Sequence, residues 1–336
     1  MIRATILALE ESPLTSLALP ADILNAAGTL WNRMAGQPER PLFDVSIVTP
    51  GGKQVSCYRT IDIKPNGSFE ELESVDIVVI AALGNMAGFQ EKYQEQINHL
   101  NKLHERGAVI TSICTGAFLM AETGLLKGKS ATTHWGMSKF FSELYPDVRL
   151  RTSRTIVDEK TLISSGGTTA GSDLALYIIR RWCGNEVANQ AARVLLLDPY
   201  RLSQAPYEAF YGPVDHGDDD ILLGQKWIDS NFYKEITIDS LAEKCNLSRR
   251  TFERRFKKAT GDSPLRYLQR VRIEKAKYLL EYGNLTFDII TSKVGYEDTS
   301  SFRRIFQKTT GLPPRAYREK FRNSQILTRP TCDPYP

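Results

Sequence analysis

The sequence predicts a three-layer α/β sandwich with a mostly parallel sheet, followed by an all-α domain built on a doubled helix-turn-helix unit. Three observations lead there. Residues 1–199 alternate short β-branched runs with helical stretches, the pattern of a sheet covered by helices on both faces. Residues 221–322 read as helix throughout, and one unit within them occurs twice. Charge divides along the same line. Residues 220–322 hold 22 Lys and Arg against 13 Asp and Glu, a net of +9, and the rest holds 21 against 26, a net of −5. Only the C-terminal part is therefore suited to meet a polyanion. At 336 residues the chain has room for two domains of roughly 100–200 residues each.

In chain order, residues 4–9 form a short apolar strand, and 20–27 a helix with Pro20 near its start. Residues 43–49 alternate as a strand and stop at Pro50-Gly51-Gly52. The continuous run 77–82 is the kind of strand that is buried on both faces. An amphipathic helix at 90–106 closes at Gly107, and 108–113 is a second buried strand. Cys114-Thr115-Gly116-Ala117 turns directly into a helix at 118–123. Strands follow near 155–157 and 162–165, and the Gly-rich stretch 166–171 leads into a helix at 172–182. Residues 200–220 lose periodicity and gain prolines, glycines and an acidic cluster, so they read as a linker. Tyr207, Phe210 and Tyr211 give that linker a means of docking on a domain surface. The polar, proline-containing tail 323–336 is expected to be loose.

Several classes are excluded. No run approaches the ~18 apolar residues of a membrane span. The opening MIRATILALEESPLTS is an apolar strand followed by acids, not a basic leader with an apolar core. Five scattered cysteines (57, 114, 183, 245 and 332) form no CxxC pair, which argues for a reducing cytoplasm and against zinc or a disulfide framework. No metal and no cofactor are expected.

The doubled unit carries the chemistry of the basic part. In 238–261, Asp239 is positioned to cap a helix running to about Lys244, and Cys245-Asn246-Leu247 turn. Ser248 then caps a second helix that Gly261 stops. Leu241-Ala242-Glu243-Lys244 matches Ile290-Thr291-Ser292-Lys293 at an offset of 49. Phe252, Phe256, Thr260-Gly261, Pro264 and Tyr267 match Phe302, Phe306, Thr310-Gly311, Pro314 and Tyr317 at an offset of 50. Wound at 3.6 residues per turn, Phe252 and Phe256 share the core face. Arg250, Arg254 and Lys257 point away from it, with Glu253 at their edge. Arg fits guanine bidentately and Glu accepts from cytosine in the major groove. Arg249, Arg255 and Lys258 fall nearer the core boundary and suit phosphates or neighbouring helices. In the second copy Asp298-Thr299 starts the helix, and Thr299, Ser300, Arg303, Arg304 and Gln307 are the candidate readers. Any single arginine is explained as well by a surface ion pair. The set, on one face of a repeated unit, points to double-stranded DNA.

These residues resemble the DNA-binding domain of the AraC/XylS family of transcription regulators. The resemblance is carried by Trp227-Ile228, by Ile238 with Leu241-Ala242, and by Leu247 through Phe252 with Arg255-Phe256. It continues in Gly261, Pro264 and Tyr267, in Arg272, Ala276 and Leu279-Leu280, and in Val294-Gly295-Tyr296. Ser300 through Arg304 with Phe306, and Gly311, Pro314 and Tyr317-Arg318, complete it. It implies two helix-turn-helix motifs in successive major-groove segments about one DNA turn apart, and contact with RNA polymerase. Ser248 and Arg249 join the DNA-facing set. Thr291 stands where the family usually has Ala.

Upstream, Cys114 sits at an abrupt strand-to-helix turn, the place of a nucleophile elbow, where a helix N-terminus lowers a thiol pKa. His134 is a candidate partner. Taken alone, Cys114 reads rather as a small buried hydrophobe and His134 as a hydrogen-bonded structural histidine. The domain 1–199 is similar to the PfpI-like, type 1 glutamine amidotransferase-like superfamily, whose fold is flavodoxin-like. The similarity runs through residues 17–22, 76–82 with Gly84, Ile113 through Ala117, 131–135, 162–171 and 173–176. This domain ahead of an AraC domain is the layout of GlxA-type regulators. The resemblance implies a small-molecule effector, of the nitrogen-containing kind, and a homodimer formed through the first domain. Many catalytic members place an acid four residues before the Pro20 position and several place His after the Cys; here Ser16 and Thr115 stand there. A hydroxyl cannot serve as a strong general base. The expected site is therefore a ligand pocket of Cys114, Thr115, His134, Gly84, Asn85 and Ser16, with Cys114 a relic nucleophile. Backbone N–H groups at 166–171 offer a further anion contact. The alternatives are a cysteine-dependent amidase, deglycase or glyoxalase tethered to DNA, and an architectural DNA binder without sequence preference. A cytoplasmic location, on the nucleoid when bound, follows from the regulator reading.

Overall fold

A computed structural model describes residues 1–58 and 61–322; the tail expected at 323–336 lies outside the described residues. The chain divides into two compact units, Met1–Ala205 and Pro206 onward.

In the first unit a seven-stranded sheet runs in the order Ile156–Asp158, Leu162–Ser165, Val109–Ile113, Ile77–Ile80, Ile2–Leu7, Phe43–Thr49, Gly67–Ser68. Neighbouring strands are parallel throughout except Ile156–Asp158, which is antiparallel to Leu162–Ser165. Successive strand residues point to opposite faces, so Ile77 and Val79 join one core and Val78 and Ile80 the other. Thr15–Ala26 and Ala170–Val194 cover the first core; Gln94–Glu105 and Gly116–Glu122 cover the second. With both faces dry, an unbroken β-branched run is the composition such strands require. Strand order reverses beside Ile2–Leu7, and the crevice at a reversal, outside the carboxyl ends, is where open α/β sheets bind ligands.

Several boundaries differ from the sequence reading. The first helix starts at Thr15, five residues ahead of Pro20, which lies inside it, buried and packed toward Gly171. The helix at 90–106 is two pieces, Phe89–Lys92 and Gln94–Glu105. The last long helix extends to Val194, with Gly184 breaking it at φ 90°. The small pairs Val55–Cys57 with Ile61–Ile63 and Ser130–Ala131 with Arg149–Leu150 carry too few residues for a readable period.

The second unit is helical: Asp219–Asn231, Ile238–Lys244, Arg249–Thr260, Pro264–Tyr282, Phe287–Lys293, Thr299–Thr310 and Pro314–Phe321. Pro264–Tyr282 is its spine. Tyr267, Leu268 and Val271 belong to a core with Phe252 and Phe256, while Ile273, Ala276 and Leu280 belong to a second core with Phe302 and Phe306. The 200–220 stretch is shared out. Residues 202–204 bond to the first unit at 153–155. On the helical unit Phe210 packs edge-on against Tyr267 and Tyr207 against Phe321, whereas Tyr211 is exposed. Among the described residues no helix is long and apolar enough to cross a membrane.

Candidate functional site

The helix Arg249–Thr260 is built by its caps. Ser248 accepts the Thr251 N–H at 3.4 Å, and Gly261, at φ 81°, donates its N–H to the Lys257 carbonyl at 2.9 Å. The copy repeats both devices: Asp298 accepts the Ser300 and Ser301 N–H groups at 3.0 Å, and Gly311, at φ 73°, bonds back to Gln307 at 2.8 Å. Ahead of the first helix the structure corrects the cap. Thr237, not Asp239, starts Ile238–Lys244, in a reciprocal box with Ser240. The repeat also reaches hydrogen bonds that the alignment could not show. Thr260 donates to Phe256 O at 2.8 Å and Thr310 to Phe306 O at 2.9 Å, each hydroxyl also receiving the N–H two residues on. Thr291, buried in the second unit, donates to Phe287 O at 2.8 Å, so its hydroxyl costs no unmet hydrogen bond.

Phe252, Phe256, Phe302 and Phe306 are fully buried, which fixes the opposite faces outward. Arg250, Arg254 and Lys257 are exposed on one helix, and Ser300, Arg303, Arg304 and Gln307 on the other; Thr299 is half-buried at the second helix start. Their states differ. Arg249 is bonded to Asp239 at 3.1 Å and lies 3.8 Å from Glu253. Arg303 rests over the Phe287 ring at 5.7 Å. Arg255 turns inward to Asp218 at 2.6 and 3.0 Å and to Asp220 at 2.9 Å, a bidentate clamp on the start of Asp219–Asn231. That clamp holds the Asp218 carboxyl below the usual carboxylate range. Arg250 and Arg254 have no ion pair among the described residues.

In the first unit Cys114 adopts φ 55°, a left-handed backbone rare outside glycine. It lets the chain leave Val109–Ile113 and enter Gly116–Glu122 within two residues. Gly116 is required there: a Cβ would stand 2.5 Å from the Ala81 carbonyl oxygen. Gly84 is as constrained, with a Cβ 1.7 Å from the Glu11 carbonyl oxygen. Thr115 donates to Leu83 O at 2.9 Å, joining the elbow to the turn before Gly84. Thr133 donates to Cys114 O at 2.8 Å, and the Thr168 hydroxyl lies 3.9 Å from Cys114 Sγ. His134 stands beside the same loop, since a Cβ on Gly167 would lie 3.3 Å from its Cδ2.

Among the described residues Ser16, Asn85 and His134 make no hydrogen bond to the thiol. Ser16 donates to Pro13 O at 2.7 Å and accepts the Ala82 N–H at 3.3 Å, tying its helix to the end of Ile77–Ile80. Asn85 accepts the Ala87 N–H within its own exposed turn. His134 Nδ1 accepts the Gly136 N–H at 3.0 Å, and among the described residues no hydrogen bond joins it to Cys114. Burial pushes the Cys114 thiol up, the Thr115 and Thr168 hydrogen bonds opposing it only in part, and burial pushes His134 down. Both shifts favour the neutral forms. Thr133, Thr168 and Gln204 were missed by the sequence reading. Thr168 lay in the flagged Gly-rich stretch; Gln204, 72 residues from Thr132, gave no local signal.

Residues 3–181 match the DJ-1/PfpI family and residues 241–320 a helix-turn-helix domain. The HTH-type transcriptional regulator GbdR of Pseudomonas aeruginosa is 27% identical over 317 residues, covering 93% of this chain and 83% of that protein. GlxA of Rhizobium meliloti, also an HTH-type transcriptional regulator, is 24% identical over 303 residues, covering 89% and 91%. A solved putative transcriptional regulator from Vibrio parahaemolyticus shares the fold at a TM-score of 0.51 and 22% identity, over 58% of this chain and 98% of that one. The chain thus belongs to the DJ-1/PfpI family and carries a helix-turn-helix domain C-terminal to that match in the sequence.

Proposed function

We propose that the chain is a sequence-specific transcription regulator whose helical unit reads double-stranded promoter DNA and whose DJ-1/PfpI unit binds a small, nitrogen-containing effector. The carrying observation is the exposed set Arg250, Arg254 and Lys257, on a helix whose opposite face is locked by Phe252 and Phe256. Thr299, Ser300, Arg303, Arg304 and Gln307 form the second reading surface, and Ser248, Arg249 and Glu253 border the first. The effector lies at Cys114, Thr115 and His134, against the Gly84-Asn85 turn. Ser16 serves that pocket as a structural support. The protein works as a cytoplasmic homodimer joined through the first unit, sits on the nucleoid when bound, and contacts RNA polymerase. A promoter footprint repeated with a panel of amino acids and quaternary amines tests the reading. A protected sequence whose extent changes with one of them is expected. Protection without sequence preference would make it an architectural binder.

The left-handed Cys114 turn keeps one other reading in view, a cysteine-dependent enzyme. A sensor thiol pushed up by burial reacts with iodoacetamide at a rate that keeps climbing through alkaline pH. A plateau already reached at neutral pH, with a turnover lost in Cys114→Ser, would establish the enzyme instead.

A further inference from the structure

The segment by which the chain leaves the first unit is fastened to the loop that faces Cys114. Gln204 is buried between the pocket wall and that loop. Its Nε2 donates to Thr133 O at 2.8 Å, Thr132 Oγ1 at 3.1 Å and Arg154 O at 3.2 Å, and its Oε1 accepts the Trp135 N–H at 3.3 Å. The same side chain packs on Gly166 so closely that a Cβ there would lie 2.9 Å from it. Three residues earlier, Arg201 donates to Asp173 at 3.0 Å through Nε and to Thr169 Oγ1 at 3.2 Å. Residues 201 and 204 thus grip the 166–173 segment at three places. Between those grips lie Gly167, against His134, and Thr168, against Cys114 Sγ. The backbone adds its own ties: Gln204 N–H to Ser153 O at 3.0 Å and Thr155 N–H to Leu202 O at 3.2 Å. One residue after Gln204 the first unit ends.

We infer that residues 201–204 are the transmitter of the sensor: Gln204 and Arg201 couple the position of the 166–169 loop to the strand-like exit of the first unit. An occupant beside Cys114 must displace Thr168 or Gly167, and neither can shift without loosening Gln204 from Gly166 or Arg201 from Thr169. An amide fully engaged in a buried network does not relax into a second arrangement at no cost. Displacement is therefore passed to residues 202–204, whose hydrogen bonds to 153–155 break or re-form. This inference rests on the Cys114 site being the effector site, but its test needs no effector and no DNA, so a failed footprint and a failed coupling are separate results.

In the full-length protein, iodoacetamide serves as the probe. Hydrogen exchange is measured at the Thr155 and Gln204 amides before and after carbamidomethylation of Cys114, with Cys114→Ser treated identically as the control. Bulk added at a thiol 3.9 Å from Thr168 is expected to speed exchange at both amides and to leave the control unchanged. Because loosening either tie frees the 166–169 loop, Gln204→Ala and Arg201→Ala are expected to alkylate at Cys114 about fivefold faster, the shift in a local opening equilibrium from losing roughly one net hydrogen bond. Unchanged exchange at Thr155 and Gln204 with Cys114 fully modified overturns the inference. Equal acceleration at Cys183 overturns it too, because that marks general loosening. If the variants do not fold, the wild-type exchange measurement decides alone.

Discussion

Phe256→Ala is expected to remove about 3–5 kcal/mol from the helical unit, the range for deleting a fully buried ring. The ring has no exposed surface and meets Phe252 and Tyr267, each at 5.3 Å between centroids. Phe306→Ala should cost a similar amount, since Phe306 meets Phe287 at 5.8 Å and Tyr317 at 5.4 Å in the equivalent place. A domain of this size is stable by about 5–15 kcal/mol, so either change removes a large fraction of the total. Among the described residues the two cores are joined through the Pro264–Tyr282 spine and the half-buried Phe232, so each loss should appear first in its own half. Residue-resolved hydrogen exchange in the full chain is the suitable measurement, because a single melting curve of a two-unit protein is not two-state. Phe256→Ala should raise exchange across Arg249–Thr260 more than across Thr299–Thr310, and Phe306→Ala the reverse. Equal loss in both helices would mean that the spine makes the two cores one cooperative body. No loss at all would contradict the burial argument itself.

That the unit consists of two such halves was legible in the sequence because Phe-xxx-Phe, Thr-Gly, Pro and Tyr recur at one offset, and each is a packing or capping necessity. Strand Phe43–Thr49 was legible for a comparable reason: it alternates and stops at Pro50-Gly51-Gly52. Pro20 misled. A proline ordinarily marks the first turn of a helix, but here burial of Leu17, Ala21 and Leu24 against the sheet carries the helix back to Thr15. Tertiary packing outweighed local propensity. Likewise Gly184 is a break, but the chain resumes its helix and buries Ala188, Ala191 and Ala192, which a local reading cannot see. The pocket was only half legible. Cys114 and Gly116 announce an elbow, since a left-handed turn and a close helix approach restrict residue choice locally. Ser16 suggested a vacated acid position, and its hydroxyl proves to hold Pro13 and Ala82 together. Thr133 reaches Cys114 O, and Gln204 reaches Thr133 O, through long-range hydrogen bonds, and glutamine in a segment without periodicity carries no pattern that points there.

Arg254→Ala is expected to weaken binding to the cognate site by about 1–3 kcal/mol and to relax the base preference at one position, as loss of a good bidentate guanine contact does. The comparison that gives this meaning lies on the same helix. Arg255 carries the same charge one residue on, but its guanidinium is committed to Asp218 and Asp220. Arg255→Ala should therefore leave base preference intact and act by freeing the start of Asp219–Asn231. Arg249 is intermediate, since its pair with Asp239 is solvent-exposed on both sides and can be exchanged for DNA at little cost. Lys258→Ala, at an exposed position nearer the core boundary, should weaken all sequences alike and lower the salt slope by about 1, the signature of a lost phosphate contact. Binding measured for the three variants across single-base substitutions of the footprinted site, at two salt concentrations, separates these roles. If Arg254→Ala weakens every sequence equally, Arg254 is a phosphate contact and base reading passes to Arg250. If Arg255→Ala alone changes base preference, the clamp on Asp218 is released on DNA, and the inward pairing describes the unbound protein only.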